Sequence, residues 1–361
     1  MPHLFVDISA HGFGHLAQTG PVLNALAERL PELHLSIRSG LPAEQLRLRI
    51  DQPFDYFHGA SDVAFLMHDA VRVDRNASAA AYREAHADWP TTVATEAEWL
   101  AGLAPDLVLS NVSCLPLAGA KRAGIPAVAM SSLNWADQFA FLFSGEAWAK
   151  KIHTDLLAAY AGADAFLRCT PAMPMPDLHN TQDIPPLSRL GQCQREALEQ
   201  ALGRKAEHLV LLVMGGIGFD MPVGNWPQTA GVRWLVREPL RTAREDVTPY
   251  PALGLHFSDL LASVDAIVTK PGYGLFVESA AAGTPVLYLR REDWPEQEVL
   301  IDWLLQEGVA AEVGAADFDA GNLLPQLESF WRQPRQPVPA NGAFEAAAAI
   351  ENLLRRGSRS A

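Results

Sequence analysis

Residues 269–285, TKPGYGLFVESAAAGTP, combine glycines, a lysine and a carboxylate at spacings that suit phosphate chemistry. A short apolar run (Ala266, Ile267, Val268) leads into a turn holding Gly272 and Gly274, and a helix opens there with Glu278 one turn in. Such a turn places backbone N–H groups and the positive end of a helix at the carboxyl end of a buried strand, a place that suits a diphosphate. Glu278 can then accept hydrogen bonds from ribose hydroxyls. The plain alternative is a surface helix carboxylate, but Val277 and Ala280–Ala282 are apolar or small and favour a sheltered one. Lys270 either neutralises phosphate or is a solvated lysine. Tyr273 either faces a ligand or covers the helix start.

A second loop, SAHGFGHLAQTGP (residues 9–21), again joins an apolar strand to a helix. Gly12 and Gly14 open backbone conformations closed to other residues. His11 and His15 stand at the strand's carboxyl end, where open α/β sheets bind ligands. With an ordinary pKa of about 6.5, a histidine there can take a proton from a hydroxyl. His15, next to the helix, is the preferred base. The plain reading is a tight turn whose histidines cap the helix, and the third glycine of the dinucleotide fingerprint is missing. A third glycine turn follows another apolar strand at Gly215, Gly216 and Gly218. It either faces phosphate or sugar or needs glycine for its shape. Two further strand ends carry polar groups, Ser110, Asn111 and Ser113, then Ser131, Ser132, Asn134 and Trp135. Asn111 or Ser113 could orient the His15 imidazole. Trp135 reads as core rather than as a wall for a second substrate. Residues 290–297 (RREDWPEQ) follow one more buried strand, where acid and amide groups can bind sugar hydroxyls or form a solvated charged loop.

The elements that must position these groups alternate along the chain. Strands are expected at 4–9, 33–38, 106–112, 127–131 and 165–170, then at 208–214, 232–236, 266–269, 285–290 and 309–313. Helices are expected at 16–30, 77–103, 116–123 and 135–161, then at 194–202, 257–263, 275–282, 296–307, 323–331 and 344–355. Near-continuous apolar strands alternating with helices imply parallel sheets covered on both faces. Five strands in each half imply an α/β protein of two Rossmann-like, doubly wound domains facing a cleft. The proline-rich stretch 171–190 is expected to be the crossing between them. The expected division is 1–190, 191–342, and a last helix within 343–361 that packs back on the first domain. Residues 51–77 are expected to form an irregular loop near the cleft.

The bulk composition bounds the function. At 361 residues the chain exceeds one ordinary core. A net charge of −14 argues against nucleic acid or an anionic membrane as the main partner. Three cysteines make no disulfide framework and lack metal-ligand spacing, so thiols in a reducing, cytoplasmic compartment are expected. No signal peptide and no transmembrane segment are expected.

Together these segments resemble the GT-B glycosyltransferases. HGFGH at 11–15 is similar to the amino-terminal glycine-histidine loop of nucleotide-sugar transferases, including the peptidoglycan N-acetylglucosaminyltransferase type. With PDLVLSNVS and SSLNWADQF it looks closer still to the glycosyltransferase-like region of L-arabinokinases. KPGYGLFVESAAAGTPVLYLRREDWPEQ resembles the donor signature in detail, and HFSDLLASVDAIVTK resembles the segment before it. The resemblance implies transfer of a sugar from a nucleotide sugar, usually UDP-linked, to an acceptor that is a small molecule, lipid-linked or a protein. No metal and no other cofactor are implied.

Position by position, His15 matches the general base and Glu278 the ribose-binding carboxylate. Phe257 falls where main-chain groups meet the nucleobase, and Gly272 and Gly274 sit at the phosphates. Glu296 and Gln297 fall near the pair that contacts the donor sugar. Gly215, Gly216, Lys270 and Tyr273 complete the donor side, and His11, Gly12, Gly14, Asn111, Ser113 and Asn134 the acceptor side. Three departures stand out. Lys270 replaces a common histidine, WPEQ stands in place of the Asp-Gln pair, and Asn111 stands where an acid can partner the base. They keep open a nucleotide-sugar-binding protein without catalysis. UDP-sugar epimerisation on the same fold is a third reading, but no convincing acid/base carboxylate set presents itself. Kinase activity is not implied.

Overall fold

The computed structural model describes residues 1–203, 205–216, 218–237 and 244–357. The first half carries strands β1 (His3–Ile8), β2 (His34–Ser39), β3 (Asp55–His58), β4 (Met67–Asp69), β5 (Arg72–Val73), β6 (Leu107–Asn111), β7 (Ala127–Ser131), β8 (Ala165–Cys169) and β9 (Thr181–Ile184). The second half carries β10 (His208–Leu212), β11 (Val232–Val236), β12 (Val247–Pro249), β13 (Ala266–Thr269), β14 (Val286–Tyr288) and β15 (Ala310–Glu312). Helices α1 (Gly14–Arg29), α2 (Ala43–Arg47), α3 (Arg75–Ala85), α4 (Trp89–Leu103), α5 (Cys114–Ala123), α6 (Trp135–Phe143) and α7 (Ala149–Ala161) cover the first sheet. The second has α8 (Arg195–Ala201), α9 (Phe257–Ser263), α10 (Tyr273–Ala282), α11 (Glu296–Glu307), α12 (Ala315–Ala320) and α13 (Leu324–Trp331), and α14 (Gly342–Gly357) ends the described chain.

Two parallel sheets result, ordered β3-β2-β1-β6-β7-β8-β9 and β12-β11-β10-β13-β14-β15. Central strands such as β6, β7 and β11 are buried at every position, which parallel strands covered on both faces require. In each sheet the winding direction reverses at one place, between β1 and β6 and between β10 and β13. Ligands of doubly wound sheets bind outside the strand ends at such a switch. His15 and Asn111 follow the first switch, and Gly215 and Lys270 the second.

Within the two parallel sheets, the strands that sequence reasoning passed over are β3, β9 and β12, all at sheet edges. An edge strand is half-solvated and carries polar residues, as in Asp55–His58 and Thr181–Ile184, so it does not read as an apolar run. Residues 51–77 are therefore less irregular than expected, holding β3 and the antiparallel β4–β5 pair. The proline-rich crossing contributes β9, so the sheets have seven and six strands rather than five each. The helix expected over 77–103 is two. Asp88 caps the second, accepting from the Thr91 N–H, with Pro90 in its first turn. The helix expected over 135–161 likewise breaks between Phe143 and Ala149.

One cluster of buried apolar side chains runs from β1 and α1 through α10 and α11 to α14. Helix α14 lies against α1, where Glu351 pairs with Arg29 at 2.7 Å. Residues 358–361 of the expected last helix lie outside the described residues. Phe276 is fully buried in this cluster. Phe276→Ala should destabilise the chain by about 3–5 kcal/mol, read as a lower denaturation midpoint at unchanged slope.

Candidate active site

A cleft of about 420 Å³ lies between the two sheets, lined on one side by His11–Gln18 and on the other by Gly215, Gly216, Phe257, Lys270, Gly272–Leu275, Glu278 and Glu296. Gly12 takes a left-handed conformation, φ +78°, which turns the chain from β1 into α1. His15 then falls in the first turn of α1.

The His15 imidazole is fixed by an oriented chain of hydrogen bonds. Its Nδ1 lies 2.8 Å from Asn111 Oδ1. The Asn111 amide N–H groups donate to Gln18 Oε1 and Thr19 Oγ1, each at 3.0 Å. That assigns Asn111 Oδ1 as an acceptor, so Nδ1 carries the proton and Nε2 holds the free lone pair. The chain continues: Gln18 Nε2 donates to Ser132 Oγ at 2.7 Å, and Ser132 donates to Glu296 Oε1 at 2.6 Å. It thus ends on a carboxylate from the opposite side of the cleft. Burial lowers the His15 pKa, with the Asn111 hydrogen bond and the Glu296 charge opposing it. His11 is held well below its ordinary value by burial, then by His15, Arg291 and Lys270. It stacks on Trp294, ring centroids 5.1 Å apart.

On the opposite side, Gly215 is left-handed, φ +83°. A Cβ built on Gly215 would lie 3.8 Å from the Lys270 Nζ, and one on Gly272 3.7 Å. The ammonium therefore sits between the turns that end β10 and β13. Burial and the Arg291 charge lower its pKa to about 7, against the pull of Glu296. Gly272 and Gly274 open α10, whose first residues line the cleft and, as at any helix N-terminus, carry N–H groups without an intrahelical partner. A Cβ on Gly274 would meet the Ala17 Cβ at 2.8 Å, because α10 touches α1 there. Gly274→Val should force these helices apart, seen as a lower thermal midpoint.

Glu278 lines the cleft but is already paired. Arg49, from the chain after α2, grips both its oxygens, Nη1 with Oε1 and Nη2 with Oε2, the latter at 3.2 Å. Both side chains are largely buried. A ribose reaching Glu278 must share it with Arg49.

Several expected residues support the site without lining it. Gln297 closes the loop after β14, its amide exchanging two 2.8 Å hydrogen bonds with the Arg291 backbone. Asn134 caps α6, accepting from the Asp137 N–H. Ser113 stands at the start of α5. Asn111 acts through His15. Tyr273 lines the cleft, but its hydroxyl donates to the Thr170 carbonyl and accepts from the Leu187 N–H, tying α10 to the crossing segment. Trp135 is core, 1% exposed, with its Nε1 donating to Asp62. Sequence reasoning missed Arg49, Gln18, Arg291 and Trp294. Gln18 had a signal, being one turn beyond His15 on α1; Arg49 had none.

Among the described residues, no group of three or more His, Cys, Asp or Glu is placed to hold a metal ion, and no helix is long and apolar enough to cross a membrane.

No family model matches the chain. It is 25% identical over 335 residues to the L-arabinokinase of Arabidopsis thaliana, a match covering 89% of this chain and 31% of that protein. The chain thus spans about a third of the curated relative. Among solved structures it superposes on the calicheamicin glycosyltransferase CalG4 with a TM-score of 0.62, at 14% identity, over 99% of this chain and 95% of the other. The kitacinnamycin glycotransferase gives 0.61, at 15% identity, over 99% and 96%. The chain has the GT-B fold. Medicago truncatula UGT71G1 complexed with UDP-glucose shares this fold at a TM-score of 0.59, with 12% identity over 98% of both chains. In GT-B terms, β1–β3 and β6–β9 form the amino-terminal Rossmann-like sheet and β10–β15 the carboxyl-terminal one.

Proposed function

We propose that the chain is a glycosyltransferase that moves a sugar from a UDP-sugar to an acceptor hydroxyl, without a metal, with His15 as the base. The domain division is 1–190 for the acceptor side and 191–342 for the donor side, with the last helix returning to the first. The observation that carries the reading is the pairing of a tautomer-fixed imidazole with a lysine held between two glycine turns, across one cleft. His15 Nε2 takes the acceptor proton as the acceptor oxygen bonds to the sugar's anomeric carbon. The bond from that carbon to the diphosphate breaks, and its electron pair leaves with UDP. Charge on the departing diphosphate is met by Lys270 and the α10 N–H groups. Phe257 lies at the base end of the cleft and Glu296 at the sugar end.

The test is equilibrium titration with UDP and UDP-sugars, followed by assay of UDP release with and without an acceptor panel. Binding with release supports transfer, whereas no UDP binding sinks the reading. A second reading, a nucleotide-sugar-binding protein, is favoured by the Arg49 grip on Glu278. Binding without release under any acceptor would select it.

A further inference from the structure

We infer that the sugar end of the cleft is built to receive a carboxylate, held by Arg291. The inference rests on the proposed nucleotide-sugar site and names the chemistry of what enters it. Arg291 leaves β14 and lines the cleft, yet is only 5% exposed. Its Nε and Nη2 hydrogen-bond to nothing among the described residues. These two N–H groups share one edge of the guanidinium, the edge that meets both oxygens of a carboxylate. A buried guanidinium lacking an acceptor is costly unless a ligand supplies one. Burial lowers its pKa to about 10, so it stays charged at neutral pH.

The surroundings say where the missing acceptor belongs. Both Glu296 oxygens are occupied, Oε1 by Ser132 and Oε2 by the Trp294 indole N–H at 2.9 Å. Lys270 already stands between the two glycine turns. Arg291 comes from β14, one strand further from the Phe257 end than β13. It lies over Trp294, 3.8 Å from the ring centroid, and Trp294 stacks on His11. A group beside Arg291 is therefore close to the histidines and away from the nucleobase end. The Gln297 clasp holds the Arg291 backbone in place. The carboxylate comes from the transferred sugar or from the acceptor. Asp293 Oδ1 is also buried without a partner, so the internal alternative is a turn of Asp293 onto Arg291.

The experiment is calorimetric titration of the whole chain with UDP, UDP-glucose and UDP-glucuronate, and of the UDP-saturated chain with free glucuronate. UDP-glucuronate should bind about tenfold or more tighter than UDP-glucose. Arg291→Met should remove that preference and leave UDP affinity unchanged, and Arg291→Lys, lacking the fork, should restore only part of it. A gain from free glucuronate alone, lost in Arg291→Met, places the carboxylate on the acceptor and supports the inference equally. No preference in either arm overturns it. So does an equal loss for UDP and both sugars in Arg291→Met, which marks a phosphate contact. A large fall in the thermal midpoint of ligand-free Arg291→Met also overturns it, since that marks an internal Asp293 partner. These failures leave the proposed transferase standing, whereas absent UDP binding removes both.

Discussion

Replacing His15 by alanine should lower turnover about 10²–10⁴-fold while UDP affinity stays within about twofold. Loss of a base acts on the proton transfer, not on the diphosphate contacts across the cleft. The Asn111 amide orientation leaves Nε2 unprotonated in the neutral ring, so the wild-type base is ready without a rearrangement. Because burial lowers the His15 pKa below its ordinary value, the imidazole is neutral at pH 7. Turnover at saturating donor, where the bound diphosphate keeps Lys270 charged, should therefore lose the His15 base only on acidification, with a midpoint below about 6.5. Asn111→Ala removes the acceptor for the Nδ1 proton. It should lower turnover and move that acid limb while leaving KM for the donor near wild type. A turnover unchanged in His15→Ala, with the fold intact, would show that another group takes the proton.

How far the site was legible follows from which residues act locally. The two glycine-rich strand-to-helix turns announce themselves because their conformations and their places at strand ends depend on neighbours in sequence. His15, Lys270, Gly272 and Glu278 were found that way, and all line one cleft. The GT-B architecture was legible for a related reason: central parallel strands are apolar on both faces. Three of the four edge strands of these sheets were not, and of those Asp55–His58 and Thr181–Ile184 are half-solvated. What stayed hidden are contacts between distant segments. Arg49 and Glu278 are 229 residues apart, and Ser132 and Glu296 164 apart. No local pattern encodes such a meeting. Asn111 shows the subtler limit. As a residue type it looks a weaker partner for imidazolium than a carboxylate is. The structure makes it one link in an oriented chain that ends on Glu296.

Lys270→Met should weaken UDP binding by about 10–100-fold, the loss of one charge-assisted phosphate contact of about 1.5–3 kcal/mol. The same substitution should change how both stability and binding depend on pH, with a sign set by the lowered pKa. An ordinary lysine titrates near 10.4, whereas Lys270 in the folded chain does so at about 7. Between those values the unfolded chain binds more protons, so stability rises with pH across the window. Below about 7 the folded chain carries the full burden of the sheltered charge. Lys270→Met should flatten this slope and raise the midpoint of the ligand-free protein at neutral pH. A diphosphate favours the ammonium form and raises its pKa, so binding takes up a proton. At pH 8, calorimetry in buffers of different ionisation enthalpy should show up to one proton absorbed per UDP by the wild type. Most of that uptake should vanish in Lys270→Met. Equal uptake in both proteins would mean that the diphosphate lies elsewhere than between Gly215 and Gly272, and the metal-free account of the leaving group would fall with it.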